Sequence, residues 1–431
     1  MIISIIRKKI YKLNKNKWII NYSNENNIQK FFSRNDINDL LTKGPVTPDH
    51  VIRIKPKPLI LNLNILSNLS KLEFNLNKSI DSYALNYKKY FSKNKHLVRN
   101  SIISDFIPRI IVIPSYGYFS LGRNYKEAMI SKDIFNSMIR SIEDANRIGS
   151  FKSISEKEIF KMEYWPLERA KLSNQIRNVL SGNIVVVTGG AGTIGSAIAK
   201  KFLSAEANVV ILDNDLSFKN KLFKEINDNC LTIKCDLTNQ KSIKSAIYRI
   251  IKEYGGIDIL ISNVGRAYQG KIYDVNEDVI RKSFEINFYS HQKITQQVIE
   301  IMKKQDFGGN ISFNLSKQSI NPGNNFGPYG LPKSSTLFLM KQYALECGKF
   351  NIKVNGINAD RIEGGMLTSK LINERAKARN TTKDKYMKGN LLKQRVFPED
   401  VAEAFFNQIL LRKTTGNIIT VDGGNMEASL R

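Results

Sequence analysis

The sequence predicts an α/β fold over residues 181–431, built on a doubly wound parallel sheet of about seven strands and preceded by an α/β accessory region. Three observations predict it. Short β-branched runs recur along this half, each closed by Gly, Asn or Asp. Stretches with apolar residues at helical spacing lie between them. A glycine-rich turn, TGGAGTIG (188–195), joins the first run to the first helix. Strands alternating with helices require right-handed crossovers and hence a parallel sheet.

The elements follow in order. NIVVVTGG is a buried strand and AGTIGSAIAKKFLSAEA its helix. NVVILDND is the second strand, followed by a helix around 217–228, and CLTIKCDLT is the third. IDILISNVG, GNISFNLS, FNIKVNGINAD and GNIITVDGG supply the remaining four. Ligands of such a sheet bind at the carboxyl ends of its strands.

The first half is less regular. Residues 1–108 are rich in Asn, Lys and Ile, with weak periodicity. LTKGPVTPDHVIRIKPKPLI (41–60) is expected to be largely extended, because each Pro disfavours helix at the residue before it. Residues 109–180 are expected to form an α/β segment and connector. RIIVIP is strand-like, SYGYFSLG (115–122) reads as a turn with two glycines, and the following amphipathic stretch ends at Gly149. Ser155 to Glu158 has the form of a capping box opening a helix that Trp165-Pro166 breaks. Residues 151–180 carry aromatics and little Gly or Ser, which suits a packed connector.

Charge and cysteine usage narrow the function classes. The chain has 431 residues and a net charge of +27. The excess is +16 over residues 1–180 and +11 over the rest, scattered without a basic block, which argues against a nucleic-acid partner. Cys230, Cys235 and Cys347 are too few for a disulfide framework and read as reduced thiols in the cytoplasm. Cys230 and Cys235 lack a second ligand pair, and His50, His96 and His291 lie far apart, so no metal is expected. MIISIIRKKIYK reaches charge after six residues, too early for a signal segment, and no run reaches membrane-spanning length.

The chemistry is concentrated at strand ends. Gly190, Gly192 and Gly195 spell GxGxxG between a strand and its helix, where backbone amides can approach a pyrophosphate. Asp213 closes the second strand, eighteen residues past Gly195. A carboxylate there accepts hydrogen bonds from ribose hydroxyls and repels the extra phosphate of NADP. No Arg follows closely, which predicts NAD. Asp236 would reach the adenine edge; Asn263 and Gly265 would clear the cofactor, although each also suits ordinary turn chemistry. Tyr329 and Lys333, four apart, share one helix face if that segment is helical. An ammonium beside a phenol lowers its pKa and fits it for proton transfer. Ser316 ends the preceding strand and would present its hydroxyl to the same substrate oxygen. The bland reading of the YxxxK spacing alone is a surface Tyr and Lys; the company it keeps decides.

TGGAGTIG, Asp213, CDL, SNVG, Asn287 in EINF, Ser316, Tyr329, Lys333 and the closing TGNIITVDGG together resemble the short-chain dehydrogenase/reductase family, with its Rossmann-type sheet. The resemblance covers roughly 181–431. It implies that Tyr329 is the general acid/base, that Lys333 tunes it and holds the nicotinamide ribose, that Ser316 binds the substrate oxygen, and that Asn287 anchors a relay water. It also implies a cofactor set of Gly189, Gly190, Gly192, Thr193, Ile194, Gly195, Asp213, Asp236, Leu237, Asn263 and Gly265, joined by Tyr329 and Lys333. Thr193 stands where the family fingerprint has Gly, Ser262 to Gly265 replace its Asn-Asn-Ala-Gly, and Ala359-Asp360 replaces a Pro-Gly turn. Pro332 lies between Tyr329 and Lys333, harmless in a first helical turn and costly further in.

A narrower resemblance covers about 40–431. GPVTPDHVIR, IPSYGYFSLGRNYKEA, KMEYWPLERAKL, FNLSKQSINPG, NADRIEGG and KTTGNIITVDGGN are similar to the C-terminal part of bifunctional rhamnulose-1-phosphate aldolase/lactaldehyde dehydrogenases. This implies that the aldolase domain is missing or truncated, and that lactaldehyde is one candidate substrate. Tyr116 stands where that family's ligand His would be, so 1–180 is expected to be a structural or interface domain without aldolase activity. Substrate loops are expected at 266–275, 318–328 and 361–395, with Lys317, Gln318, Asn321, Asn324, Asn325, Arg361 and Glu363 as polar candidates. An NAD-binding scaffold and a nucleotide-sugar epimerase or dehydratase are the alternatives. The family likeness also implies a homo-oligomer, dimer or tetramer.

Overall fold

The computed structural model describes residues 2–62, 68–114, 116–172, 178–216, 230–364 and 367–425. The chain divides into two units: Met1–Gly182 with Ile251–Gly255, and Asn183–Ile250 with Gly256–Arg431.

The first unit is built on a four-stranded sheet of order β1-β4-β3-β2, where β1 is Ile19–Ser23, β2 Leu59–Ile60, β3 Ile110–Ile113 and β4 Gly117–Gly122. Only the β2–β3 pair is parallel. Alternation along β3 serves two cores. Ile111 and Ile113 pack with helices Ile2–Asn14 and Leu69–Asn94. Ile110 and Val112 pack with Asn26–Phe32, Ile37–Thr42 and Tyr125–Ile148.

Two local expectations fail here. Residues 117–122 form strand β4 rather than a turn. Gly122 is required there because a Cβ would stand 2.1 Å from the Ala128 nitrogen, at the start of the next helix. The stretch 41–60 is not largely extended: Pro48 opens a 3-10 turn, Pro48–His50, that runs into helix Val51–Ile54. Proline fits a first turn, where its missing N–H has no partner to lose. Other punctuation acts as expected. Gly149 closes Tyr125–Ile148, the Ser155 hydroxyl caps Glu156–Tyr164 by accepting from the Glu158 N–H, and Trp165 ends that helix before Pro166 opens another.

The second unit holds seven parallel strands: β5 Ile184–Thr188, β6 Asn208–Asp213, β7 Cys230–Lys234, β8 Ile259–Ser262, β9 Gly309–Asn314, β10 Ile352–Ala359 and β11 Ile418–Val421. Their order is β11-β10-β9-β8-β5-β6-β7. The direction of winding therefore reverses between β5 and β8, the position where such sheets open a crevice. Val185, Val186 and Val187 in β5 and Leu260 and Ile261 in β8 are fully buried, as strands covered on both faces must be. The helix expected around 217–228 lies outside the described residues.

Candidate active site

Most of the candidate residues gather at the carboxyl ends of these strands, around a cavity of about 830 Å³. One part is made of backbone. β5 runs into the turn Gly189–Gly192, and Gly192 is the N-cap of helix Thr193–Ser204. Gly189 has φ +61°, and a Cβ on Gly195 would stand 2.2 Å from the Gly189 carbonyl oxygen. Glycine is the residue that permits both. The helix start directs unpaired N–H groups and partial positive charge towards the cavity, which suits a phosphate. Gly189, Gly192, Thr193, Ile194, Gly195, Asp213, Asp236, Leu237, Asn263 and Gly265 all line the cavity. Gly190 does not: a Cβ there would meet Ile211 at 2.8 Å, so this glycine serves the packing of the turn on β6.

The carboxylates are anchored. Asp213 accepts from the Ala191 N–H at 3.0 Å and the Asp215 N–H at 3.2 Å. Asp236 accepts from the Thr238 N–H and hydroxyl, a local turn. Asn263 ties three strand ends together. Its amide donates to the carbonyls of Thr188 and Gly189 at 3.0 and 3.2 Å, and its oxygen accepts from the Asn314 amide at 2.8 Å. A Cβ on Gly265 would stand 3.2 Å from Asn287 Oδ1 and 3.6 Å from Lys333 Nζ, so the glycine lets this turn run close to both side chains.

The remaining wall carries the titratable groups. Helix Gly327–Cys347 presents Tyr329 and Lys333 on its buried face, and Ser316 follows β9 by two residues. All three line the cavity. Lys333 Nζ donates to the Asn314 carbonyl at 2.9 Å and lies 5.9 Å from the Tyr329 ring centre. Burial pushes Lys333 down to about 8 and Tyr329 up to about 12, the latter opposed by a hydrogen bond with the Ser316 hydroxyl. The expected lowering of the phenol by its lysine neighbour is not found: burial raises it, and the opposing influence is the Ser316 hydroxyl rather than Lys333. Pro332 lies past the first helical turn, so the Pro328 carbonyl loses its helical donor.

Asn287 sits behind this wall, in a π-helical segment, Glu285–Tyr289. Such bulges recur at functional sites. Its side chain exchanges two hydrogen bonds with the Arg266 backbone, at 3.0 and 2.9 Å, and its carbonyl accepts from the Thr336 hydroxyl at 2.6 Å.

Of the polar substrate candidates only Arg361 lines the cavity. Lys317 turns to Asp360 at 3.5 Å, Gln318 accepts from the Gly323 N–H, and Glu363 pairs with Arg395. Several residues were missed. The Thr188 hydroxyl accepts from the N–H groups of Asn263 and Val264, and Asn314 joins Lys333 to Asn263. Asn314 was accessible from sequence: it stands two residues before Ser316 on the same strand edge. His291 is fully buried with Nδ1 2.7 Å from the Ser262 hydroxyl; burial and then the Lys333 charge hold it well below its ordinary pKa, so it is neutral. Arg266 and Arg375 also line the cavity; both fall within the expected substrate loops 266–275 and 361–395, and Arg375 opens the stretch RAKAR, but neither was among the polar candidates named.

Known proteins resemble this chain over both units. Residues 183–375 match the family model described as short chain dehydrogenase, and residues 1–172 match one described as aldolase class II, second domain. An uncharacterised oxidoreductase, YuxG, of Bacillus subtilis is 30% identical over 95% of this chain; the chain spans 61% of that relative's length. A 7α-hydroxysteroid dehydrogenase of Bacteroides fragilis is 30% identical over 57% of this chain and 95% of its own. A 3-ketoacyl-(acyl-carrier-protein) reductase of Brucella melitensis, solved with NADH, shares the fold, with a TM-score of 0.52 and 22% identity over 56% of this chain and 98% of its own. No described helix is long and apolar enough to cross a membrane.

Proposed function

Because this chain belongs to the short-chain dehydrogenase family, we propose that it is an NAD-dependent oxidoreductase acting on a small hydroxyaldehyde, alcohol or sugar derivative. One observation carries the reading: Ser316, Tyr329 and Lys333 share one cavity with the glycine-rich helix start and Asp213. The helix start would hold the pyrophosphate and Asp213 the ribose hydroxyls, its charge disfavouring a 2′-phosphate. The bound nicotinamide supplies the hydride acceptor for oxidation and the donor for reduction.

The protein's own part is binding and proton transfer. Ser316 and Tyr329 hydroxyls hold the substrate oxygen. In oxidation Tyr329, as phenolate, takes the hydroxyl proton; in reduction it returns it. Lys333 stabilises that phenolate, and Asn314 and Asn287 keep the wall in register. Lactaldehyde enters the substrate panel from the sequence resemblance.

The test is NAD reduction followed by absorbance with L-lactaldehyde, small polyols and deoxysugars, and with NADP in parallel. Tyr329→Phe is expected to lower turnover by about 10²–10⁴-fold. Wild-type protein that binds NAD yet converts nothing on the panel would favour the scaffold reading. A preference for NADP would remove the role given to Asp213.

A further inference from the structure

Building on the oxidoreductase reading, we propose that the substrate carries an anionic group, a carboxylate or a phosphate monoester, bound by Arg375 with help from Arg266. Three arginines line the cavity: Arg266, Arg361 and Arg375. Arg361 is committed to the fold. Its Nη1 donates to the carbonyls of Tyr386 and Gly389, and its Nε lies 3.7 Å from Asp360. Arg266 and Arg375 form no ion pair with any described carboxylate.

Arg375 is held in place without being neutralised. It occupies the last turn of helix Ser369–Lys377. Its Nη1 donates to the Tyr386 hydroxyl at 3.2 Å, and its guanidinium lies over the Phe326 ring, 4.3 Å from the centre. Phe326 in turn meets Tyr329 edge to face, with centres 6.4 Å apart. Those two contacts bound the distance from the guanidinium carbon to the Tyr329 ring centre at about 11 Å. The cation therefore lies within reach of a short substrate whose hydroxyl is held at Tyr329. Most of its N–H groups remain available, in the forked geometry that matches carboxylate and phosphate.

The acids of the cavity do not compete for it. Asp213 and Asp236 belong to the glycine-rich side and are engaged there. Asp360 is answered by Lys317 at 3.5 Å, Arg361 and the Asn425 amide at 2.7 Å. A half-buried guanidinium on a cavity wall gains most from an anion, because the charge-assisted bond repays its desolvation.

The experiment is titration calorimetry on the NADH-saturated protein with glycerol 3-phosphate, D-glycerate and glycerol, for wild type and Arg375→Gln. Saturation keeps the anions off the glycine-rich turn. At least one anion is expected to bind about tenfold more tightly than glycerol, and Arg375→Gln to cut that preference about tenfold. The two anions distinguish phosphate from carboxylate. Equal binding of glycerol and the anions, no anion binding, or a preference untouched by Arg375→Gln overturns the proposal. Should that variant not fold, Arg266→Gln is read the same way. Should NADH not bind, the titration without it decides. Binding is measured apart from turnover, so the two readings fail separately. Anion binding without turnover on any panel refutes only the oxidoreductase reading. Neutral substrates turned over with no anion binding refute only this one.

Discussion

Tyr329 and Lys333 illustrate how one environment acts oppositely on two groups. Burial favours the neutral form of each, so the phenol rises to about 12 and the ammonium falls to about 8. The lysine makes this measurable as stability. Its folded pKa lies below its ordinary 10.5, so between pH 8 and 10.5 the unfolded chain holds more protons. Its contribution to stability therefore increases as pH rises through that window. Lys55, buried in the first unit and also near 8, contributes in the same direction, so the comparison must isolate Lys333. Thermal unfolding of wild type and Lys333→Met, without cofactor, should show a difference that moves in favour of wild type from pH 7.5 to 10. A difference independent of pH would mean that Lys333 is not depressed. The YxxxK spacing was legible in the sequence. The net direction of the Tyr329 shift was not, because it depends on how deeply the cavity wall is buried, which spacing does not encode.

At the scale of elements, the turn after β5 is the most constrained piece of the site. A methyl group on Gly195 would have to displace the Gly189 carbonyl and the Gly190 backbone, at 2.2 and 2.7 Å. Neither is a flexible side-chain end, so the helix start must move. Gly195→Ala is expected to lower NADH affinity by tenfold or more, on the order of the 1.4 kcal/mol that a decade represents, and to lower the unfolding temperature. Retained affinity in a fluorescence titration would show that the turn does not hold the dinucleotide. This turn and all seven strands of the sheet could be read in advance, since β-branched runs between Gly and Asp have few other solutions. The first unit could be read only in its later part, from β3 to the helix capped by Ser155, β4 apart. Helix Leu69–Asn94 buries Leu72, Leu76, Ile80, Ala84 and Tyr87 at helical spacing, but its Asn and Ser residues carry weak helix propensity and blur the pattern. Helix Ile2–Asn14 is rich in Ile, whose branching favours strands. In β4 the two glycines suggested a turn, whereas close backbone approach was their cause.

For the whole molecule, helix Gly327–Cys347 would connect the proposed chemistry to the expected assembly. Tyr329, Lys333, Thr336, Met340 and Tyr343 face inward, whereas Leu331, Phe338 and Leu345 are 47, 70 and 79% exposed. The exposed three recur every seven residues, so they form one stripe drifting slowly around the helix. A second copy of the chain covering that stripe would bury a Phe and two Leu per helix, each contributing about 1.5–3 kcal/mol. The net charge of +27 opposes such pairing, and added salt screens it. The wild type is therefore expected to sediment as a dimer or tetramer whose association strengthens with salt. Phe338→Glu would place a carboxylate in the stripe that a second copy would cover and should give monomers. Because the same helix carries Tyr329 and Lys333, turnover should fall with assembly, by more than the mutated side chain's distance from the cavity would suggest. A monomeric wild type, or a Phe338→Glu variant with unchanged sedimentation, would detach the stripe from assembly and leave the helix with a catalytic role alone.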